Sequence, residues 1–299
     1  EEYFEKVFDE KNYVVGKDCF LIYSPEREDP GNKKFRIKNI TKIVSGKTNK
    51  CLTIASKLYK KVVKNIYEAK SIKTAEMAKL HENIYRSVNI ALVNEMKILS
   101  EKMGIDIWQV IEAAKTKPFG FQAFYPGPGV GGHCIPLDPY ILSWKAKKYN
   151  FNSRFINLSG EINNSMPKVV AKKTYESVIS TKKNRSKARV LILGVAFKPN
   201  VDDYREAPSQ KIINILRDKY NFHISYCDPY VPILEVTRLN QKKMKSIKLN
   251  YKSFKTYDAV IIITNHKLFD FKKIEKYSKL IIDTRGIYKH KLLKKIIKA

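Results

Sequence analysis

The stretch Arg189-Val190-Leu191-Ile192-Leu193-Gly194-Val195-Ala196-Phe197 decides the fold. It is apolar and strand-sized, and a polar loop and an amphipathic helical pattern at Ser209–Lys219 follow it. Further short apolar runs stand at His223–Cys227, Asp258–Thr264 and Leu280–Asp283. Strands alternating with helices predict an α/β fold with a doubly wound parallel sheet. Such sheets bind ligands beyond the carboxyl ends of their strands. Those ends read Phe197-Lys198-Pro199, Asp228-Pro229-Tyr230, Thr264-Asn265-His266 and Asp283-Thr284-Arg285.

Outward from that sheet the pattern turns helical. Residues 182–187 are Lys-rich and read as a linker. Before them, Phe155–Thr181 and Pro139–Lys148 have helical spacing, with Pro167 as a kink or restart. Ile107–Ala114 reads as a short helix. From Thr74 to Met103, Ala75, Ala78, Ile84, Val88, Ala91, Leu92, Met96 and Leu99 recur at helical spacing, with Thr74 as N-cap and Gly104 as the stop. Such a helix is about 45 Å long, enough to act as a spine between domains or subunits. Residues 1–70 give a helix tail at 1–10, a strand Cys19–Tyr23, a strand Lys42–Gly46 and a helix Cys51–Tyr59. They resemble the last third of an α/β domain, because no opening strand and glycine turn precede them. The expected parts are therefore 1–70, 71–181 and 188–299.

The 299 residues are 43% hydrophobic and 11% aromatic, which suits a globular protein. No run reaches the roughly 18–20 apolar residues of a membrane span. Residues 1–12 are charged and lack the apolar stretch of a signal peptide, so a cytoplasmic protein with no membrane partner is expected. The net charge of +29 comes mostly from Lys spread along the chain. A nucleic-acid surface more often concentrates Arg among aromatics, so no nucleic-acid partner is expected. The charge equally suits a polyanionic small substrate. The four cysteines, Cys19, Cys51, Cys134 and Cys227, show no metal-binding spacing.

Cys134 stands apart through its loop, Tyr125-Pro126-Gly127-Pro128-Gly129-Val130-Gly131-Gly132-His133-Cys134. Glycines let backbone approach a ligand, and prolines hold such a loop in one shape. Cys134 is a potential nucleophile, and a buried structural thiol is the alternative. Asp138, four residues on, reads as a general base or as the N-cap of a helix opening at Pro139. Lys79 and Asn83 share a helix face and could hold an oxyanion, or Lys79 could simply be solvated. Glu26 ends a strand, as a reacting group or as a turn residue paired with a Lys. Lys198 and Arg205 flank the loop after the first strand of the sheet, and Arg285 ends a later one. Cations there suit a pyrophosphate, or else form a salt-bridged loop.

In order along the chain, Ser24-Pro25-Glu26-Arg27, Lys79 with Asn83, the Gly129–Asp138 loop, Glu161-Ile162-Asn163 with Pro167, and Phe197-Lys198-Pro199 with Arg205 resemble the nucleotide-sugar 6-dehydrogenases, the UDP-glucose/GDP-mannose dehydrogenase family. The resemblance implies a remnant of an NAD-binding domain (1–70), a central helical dimerisation and catalytic domain (71–181) and a UDP-sugar-binding domain (188–299). It implies an NAD-dependent four-electron oxidation of the sugar C6 alcohol to a uronate, for surface polysaccharide precursors. Cys134 would hold the thiohemiacetal and then the thioester. Lys79 and Asn83 would hold the C6 oxygen, Asp138 would activate water, and Glu26 would line the reacting centre. Tyr125, Gly127, Gly129 and Gly131 would wrap the sugar, Lys198 and Arg285 would bind the UDP-sugar, and Arg205 would reach the NAD. A homo-oligomer through the long helix is implied as well.

Ser24–Asn32, Phe124–Gly129 and Pro199–Asp203 are most similar to the branch oxidising UDP-N-acetylhexosamines, above all UDP-N-acetylglucosamine 6-dehydrogenase. UDP-glucose enzymes tend to carry a second Glu where this chain has Pro30. The family's glycine turn for the NAD pyrophosphate has no counterpart within this chain, so this chain alone is expected to be inactive. Three other readings are weaker. They are a non-catalytic UDP-sugar-binding or dimerisation fragment, a basic nucleic-acid binder, and a thiol hydrolase using Cys134 with His133.

Overall fold

The computed structural model of the chain describes all residues except 30–31, 33, 182–187, 236–242 and 292, with Glu2 described by its backbone alone. The expected linker 182–187 and the Pro30 comparison lie outside the described residues. The chain forms two compact units, Glu1–Ile84 and Tyr85–Ala299. The division falls inside one long helix. Among the described residues no helix is long and apolar enough to cross a membrane.

The first unit contains α1 (Glu2–Glu10), β1 (Ile22–Tyr23), β2 (Lys42–Gly46), α2 (Asn49–Tyr59), β3 (Ile66–Glu68) and the start of α3 (Ile72–Lys102). β2 is central, antiparallel to β1 and parallel to β3. Its Ile43 packs with Ala69 and Ala75. A Cβ on Gly46 would stand 2.3 Å from the Leu52 nitrogen, so only glycine lets α2 turn back this closely. The strand expected at Cys19–Tyr23 shrinks to two residues. Residues 14–19 instead close on themselves, with the Gly16 N–H bonded to the Cys19 carbonyl. The N-cap of α3 is Ser71 rather than Thr74, because the Ser71 hydroxyl accepts from the Thr74 N–H.

α3 ends as its glycine predicts. Gly104 takes φ +71, its N–H bonds the Glu101 carbonyl, and the Ile105 N–H reaches back to Ser100. This paired closure satisfies two of the last carbonyls of the helix. The rest of the second unit begins with α4 (Ile107–Ala114), α5 (Cys134–Lys147) and α6 (Arg154–Thr181). Two expectations change here. α5 opens at Cys134, five residues before Pro139, so Asp138 lies inside the helix and is not its N-cap. α6 runs through Pro167 without restarting.

The sheet holds β4 (Arg189–Leu193), β5 (His223–Cys227), β8 (Ala259–Ile262), β9 (Ile281–Asp283) and β10 (Ile296–Lys298). Between them stand α7 (Pro208–Asn214), extended by a π-helical turn Ile215–Lys219, a hairpin of β6 (Ile233–Glu235) and β7 (Lys243–Lys245), and α8 (Phe271–Tyr277). The hairpin and β10 are not foreseen from sequence. The strand order is β10-β9-β8-β4-β5 and every pair is parallel. The order reverses between β4 and β8, where a crevice opens at the strand ends. Residues alternate along β4. Val190 and Ile192 pack with Val170 and Val178 of α6 and Ile212 and Ile213 of α7, whereas Leu191 and Leu193 pack with Ile274 of α8 and with Phe254 of a 3-10 turn at Tyr251–Thr256. Helices on both faces make the sheet doubly wound, as the sequence predicts. β4 nevertheless stops at Leu193, four residues before the predicted end. Gly194 takes φ +75, and the next two N–H groups leave the ladder for the Asp228 carboxylate.

Candidate active site

α5 sets the chemistry of the glycine loop. Cys134 is the first residue of the helix, exposed, at the end where backbone N–H groups have no helical partner. His133 precedes it and makes no capping bond with its side chain. Asp138 lies one turn along the same face and is half-buried. Thiol and carboxylate thus share one rigid element. Cys19 is half-buried, Cys51 and Cys227 are buried, and all four thiols are free.

The loop leading into α5 is shaped by what its glycines touch. A Cβ on Gly127 would stand 2.9 Å from Nη1 of Arg285. Gly129, at φ +125, faces the Asn163 carbonyl and the Pro167 ring, both at 3.3 Å from such a Cβ. Pro167 has no N–H, so the Asn163 carbonyl one turn earlier has no helical donor, and the loop lies against that gap. A Cβ on Gly131 would stand 2.8 Å from Cβ of Phe197 and 3.0 Å from the Glu206 carbonyl. The Gly132 N–H bonds the Arg205 carbonyl at 3.3 Å. Backbone of the loop is therefore fitted onto the segment that carries Lys198 and Arg205.

A buried amide chain anchors the same loop. The Gly127 N–H donates to Oδ1 of Asn94 at 3.0 Å. Asn94 donates to Oδ1 of Asn163 at 3.0 Å, and Asn163 donates to the Ser87 carbonyl at 2.9 Å. Both asparagines are buried. Asn163 stands in a motif noted from sequence, whereas Asn94 is missed, since one Asn on a long helix carries no local signal. Tyr125 stacks on Trp108 and donates to Glu112 at 3.1 Å. Hydrogen bonds from Lys115, Lys289 and Tyr125 hold the Glu112 carboxyl down to about 2.

The cations expected at the sheet are arranged unequally. Arg285 is half-buried, and its Nε donates to the Ile263 carbonyl at 2.6 Å. Burial pulls this guanidinium down to about 10, against the Asp283 carboxylate, so it stays charged at neutral pH. Lys198 is half-buried on the segment after β4. Arg205 is exposed and bound to Asp203 through two bonds of 2.9 and 2.7 Å. The salt-bridged-loop reading thus describes Arg205 as it stands here.

Sequence reasoning also missed a buried pair beside these cations. Oδ2 of Asp228 lies 3.0 Å from Nε2 of His266, and both side chains are fully buried. Asp228 also accepts from the N–H groups of Val195, Ala196, Tyr230 and Val231. Burial pushes the Asp228 carboxyl up, but the His266 bond and the backbone donors outweigh it and hold it below the usual range. Both residues stand at strand ends, the one signal that could have found them.

In the first unit, an ion pair ties the turn that carries Glu26 to the helix that carries Lys79 and Asn83. Nη2 of Arg27 lies 2.8 Å from Glu82, which sits between Lys79 and Asn83 on α3. Asn83 is buried and Lys79 half-buried. Glu26 pairs with Lys42 at 3.2 Å and accepts from the N–H groups of Arg27 and Glu28, each at 2.7 Å. Burial pushes Glu26 up, but these donors outweigh it, and its carboxyl lies below the usual range.

A bound NAD needs backbone donors at a strand–glycine–helix turn for its pyrophosphate. Gly127, Gly129 and Gly132 have the spacing of such a turn, and α5 follows them. No strand precedes them, however, and the space at these glycines is taken by Arg285, Pro167 and Phe197. At the β2–α2 turn, Thr48 already takes the Cys51 N–H, and α2 packs directly on Gly46. The described residues do not fit the dinucleotide's pyrophosphate.

Sheet order, cations at the crevice and a glycine-fed thiol point to one class, α/β proteins that hold a nucleotide-linked ligand against a reactive side chain. Comparison with known proteins agrees. The model of the UDP-glucose/GDP-mannose dehydrogenase family, central domain, matches residues 73–165, and that of the same family's UDP binding domain matches 191–290. The chain belongs to the UDP-glucose/GDP-mannose dehydrogenase family. It is 34% identical to the UDP-N-acetyl-D-mannosamine dehydrogenase of Methanococcus vannielii over 97% of this chain and 65% of the relative. It superimposes on the UDP-D-ManNAc dehydrogenase of Pyrococcus horikoshii with a TM-score of 0.82 and 31% identity, covering 95% of this chain and 65% of that one. The UDP-N-acetyl-D-glucosamine 6-dehydrogenase of Salmonella typhi is 36% identical over 86% of this chain and 59% of the relative. The chain thus spans just under two thirds of the length of the relatives it matches first.

These matches correct the branch read from sequence. The first relative and the first structures are mannosamine enzymes, and the placement beside UDP-N-acetylglucosamine 6-dehydrogenase does not stand. The two sugars differ only in configuration at C2. The motifs that carried the placement are short segments rich in Pro and charged residues, and their residue types alone do not report that stereocentre.

Proposed function

We propose that this chain carries the UDP-sugar-binding and thiol chemistry of an NAD-dependent UDP-N-acetyl-D-mannosamine 6-dehydrogenase, a cytoplasmic enzyme supplying a uronate for surface polysaccharide. The observation that carries this is the approach of Gly127 to Arg285 in a loop running directly into Cys134. That approach sets a cation for the diphosphate beside the stretch that would wrap the sugar. Arg285 and Lys198 bind the UDP-sugar, and Tyr125, Gly127, Gly129 and Gly131 close around the hexose. In the whole enzyme NAD would supply the oxidising equivalents, and Arg205, which here pairs with Asp203, would reach it.

The steps assigned to this chain's own groups are these. Lys79 and Asn83 hold the C6 oxygen as negative charge develops on it. The Cys134 sulfur adds to the C6 aldehyde carbon, giving a thiohemiacetal, which on further oxidation becomes a thioester. Asp138 takes a proton from water as it attacks that thioester. The C–S bond breaks, and the uronate and the free thiol separate. Glu26, through Lys42 and Arg27, keeps the turn beside Lys79 and Asn83 in place. The enzyme is a homo-oligomer joined along α3, whose exposed Leu92, Met96 and Leu99 support such a contact.

The test is titration of the chain with UDP and with uridine, joined to alkylation of Cys134. UDP-N-acetylmannosamine protects Cys134 from iodoacetamide, uridine does not, and no NADH forms on adding NAD. Failure of the chain to bind UDP removes the proposal, and NADH formation by this chain removes its account of the dinucleotide.

A further inference from the structure

The proposed reaction leaves His266 without a task, yet it is among the most enclosed ionisable groups of the second unit. Its ring lies between Tyr230, at 5.0 Å, and Phe269, edge-on at 5.5 Å. Nδ1 lies 2.9 Å from the Asn200 nitrogen. A backbone N–H only donates, so Nδ1 accepts and the ring proton sits on Nε2. Nε2–H then donates to Asp228 at 3.0 Å. Asn200 answers with its side chain, whose Oδ1 accepts from the Lys267 N–H at 2.9 Å. Asn200 holds a left-handed φ of +63, a conformation that needs support. The Thr264 hydroxyl adds a bond to the Ala196 carbonyl at 2.5 Å.

These bonds join two segments that the sheet topology leaves on opposite lips of one crevice. Residues 195–200 leave the end of β4, and residues 264–267 leave the end of β8, the two strands flanking the reversal of strand order. Lys198 rides on the first segment, between Ala196 and Asn200, which are both pinned. Asp228, from the end of β5, holds the start of that segment through Val195 and Ala196 and holds His266 at the same time. The whole clasp is thus built from three strand ends around one imidazole.

We propose that His266 is a positioning residue for diphosphate binding. It clasps the Val195–Asn200 segment to the β8 lip through Nδ1 and so fixes where Lys198 meets the ligand. The inference rests on the UDP-binding reading above.

The two ring nitrogens can be tested separately, because an Asn amide imitates Nδ1 and a Gln amide imitates Nε2. The full 299-residue chain is prepared as wild type, His266→Asn, His266→Gln and His266→Ala, and titrated with UDP and with uridine, with thermal midpoints recorded alongside. His266→Asn is expected to keep UDP affinity within about threefold. His266→Gln and His266→Ala are expected to lose about tenfold for UDP and almost nothing for uridine. Amide hydrogen exchange at Asn200 and Lys267 is expected to quicken in the Gln and Ala variants only. Equal UDP affinity in all four proteins, or rescue by Gln in place of Asn, overturns the clasp while the UDP reading stands. Absence of UDP binding by the wild type removes the UDP reading and this role with it. If a variant loses its thermal transition, Asn200→Ala, which removes the clasp's other bond between the two lips, from the Lys267 N–H to the Asn200 Oδ1, supplies the comparison. Unchanged UDP affinity in it counts against the proposal.

Discussion

Gly127 leaves Arg285 its place: a methyl group on the glycine would stand 2.9 Å from the guanidinium Nη1. The φ of Gly127 is not in the left-handed region, so the residue serves space rather than backbone freedom. Gly127→Ala should therefore fold normally yet displace Arg285. Calorimetric titration should show UDP binding about tenfold weaker with an unchanged unfolding midpoint.

Cys134 is exposed at the first turn of α5 and packs in no core cluster. Cys134→Ser should leave stability and UDP affinity within about twofold of wild type. It should abolish the substrate-protected alkylation, read by mass spectrometry of the peptide that bears residue 134.

The amide chain from Gly127 through Asn94 and Asn163 to Ser87 is buried from end to end. Asn94→Leu strands the Gly127 N–H and an Asn163 acceptor. Unsatisfied buried groups of this kind cost about 1–3 kcal/mol each. Urea denaturation should show a loss in that range, and UDP affinity should fall with it because the sugar loop loses its anchor.

Asp228 gives the sheet a pH dependence. Its folded carboxyl lies below the ordinary value, so its charged form stabilises the fold. That stabilisation is complete above the unfolded value near 3.9 and is lost as pH falls through the lower folded value. Thermal midpoints should drop steeply below about pH 4, and Asp228→Asn should flatten the drop while lowering the midpoint at pH 7.

The sheet was legible because each strand is a short apolar run with its own turn residues, and β5 matches its expected bounds. β4 was over-read at Val195–Phe197 because an apolar run does not say where its N–H groups bond. Here Asp228, more than thirty residues away, takes those of Val195 and Ala196, and the Asp203 carbonyl takes that of Phe197. α5 was under-read for the opposite reason. Pro136 and Pro139 argue against a helix interior, yet a helix that begins at Cys134 has Pro136 in its first turn, where no N–H partner is needed. In the candidate site, Cys134, Arg285 and the glycines were legible as residue types in a loop or at a strand end. Asn94, Glu82 and His266 were not, because each acquires its role only from a partner brought near by the fold.

α6 touches both halves of the proposed substrate site. At its middle, Asn163 and Pro167 support the loop that ends in the thiol. Farther along, Val170 and Val178 are set in the core beneath the strands that bear the cations. One uninterrupted helix therefore supports both the loop that ends in the thiol and the core under the cation-bearing strands. Anything that bends that helix should disturb the thiol loop and the cation-bearing strands together.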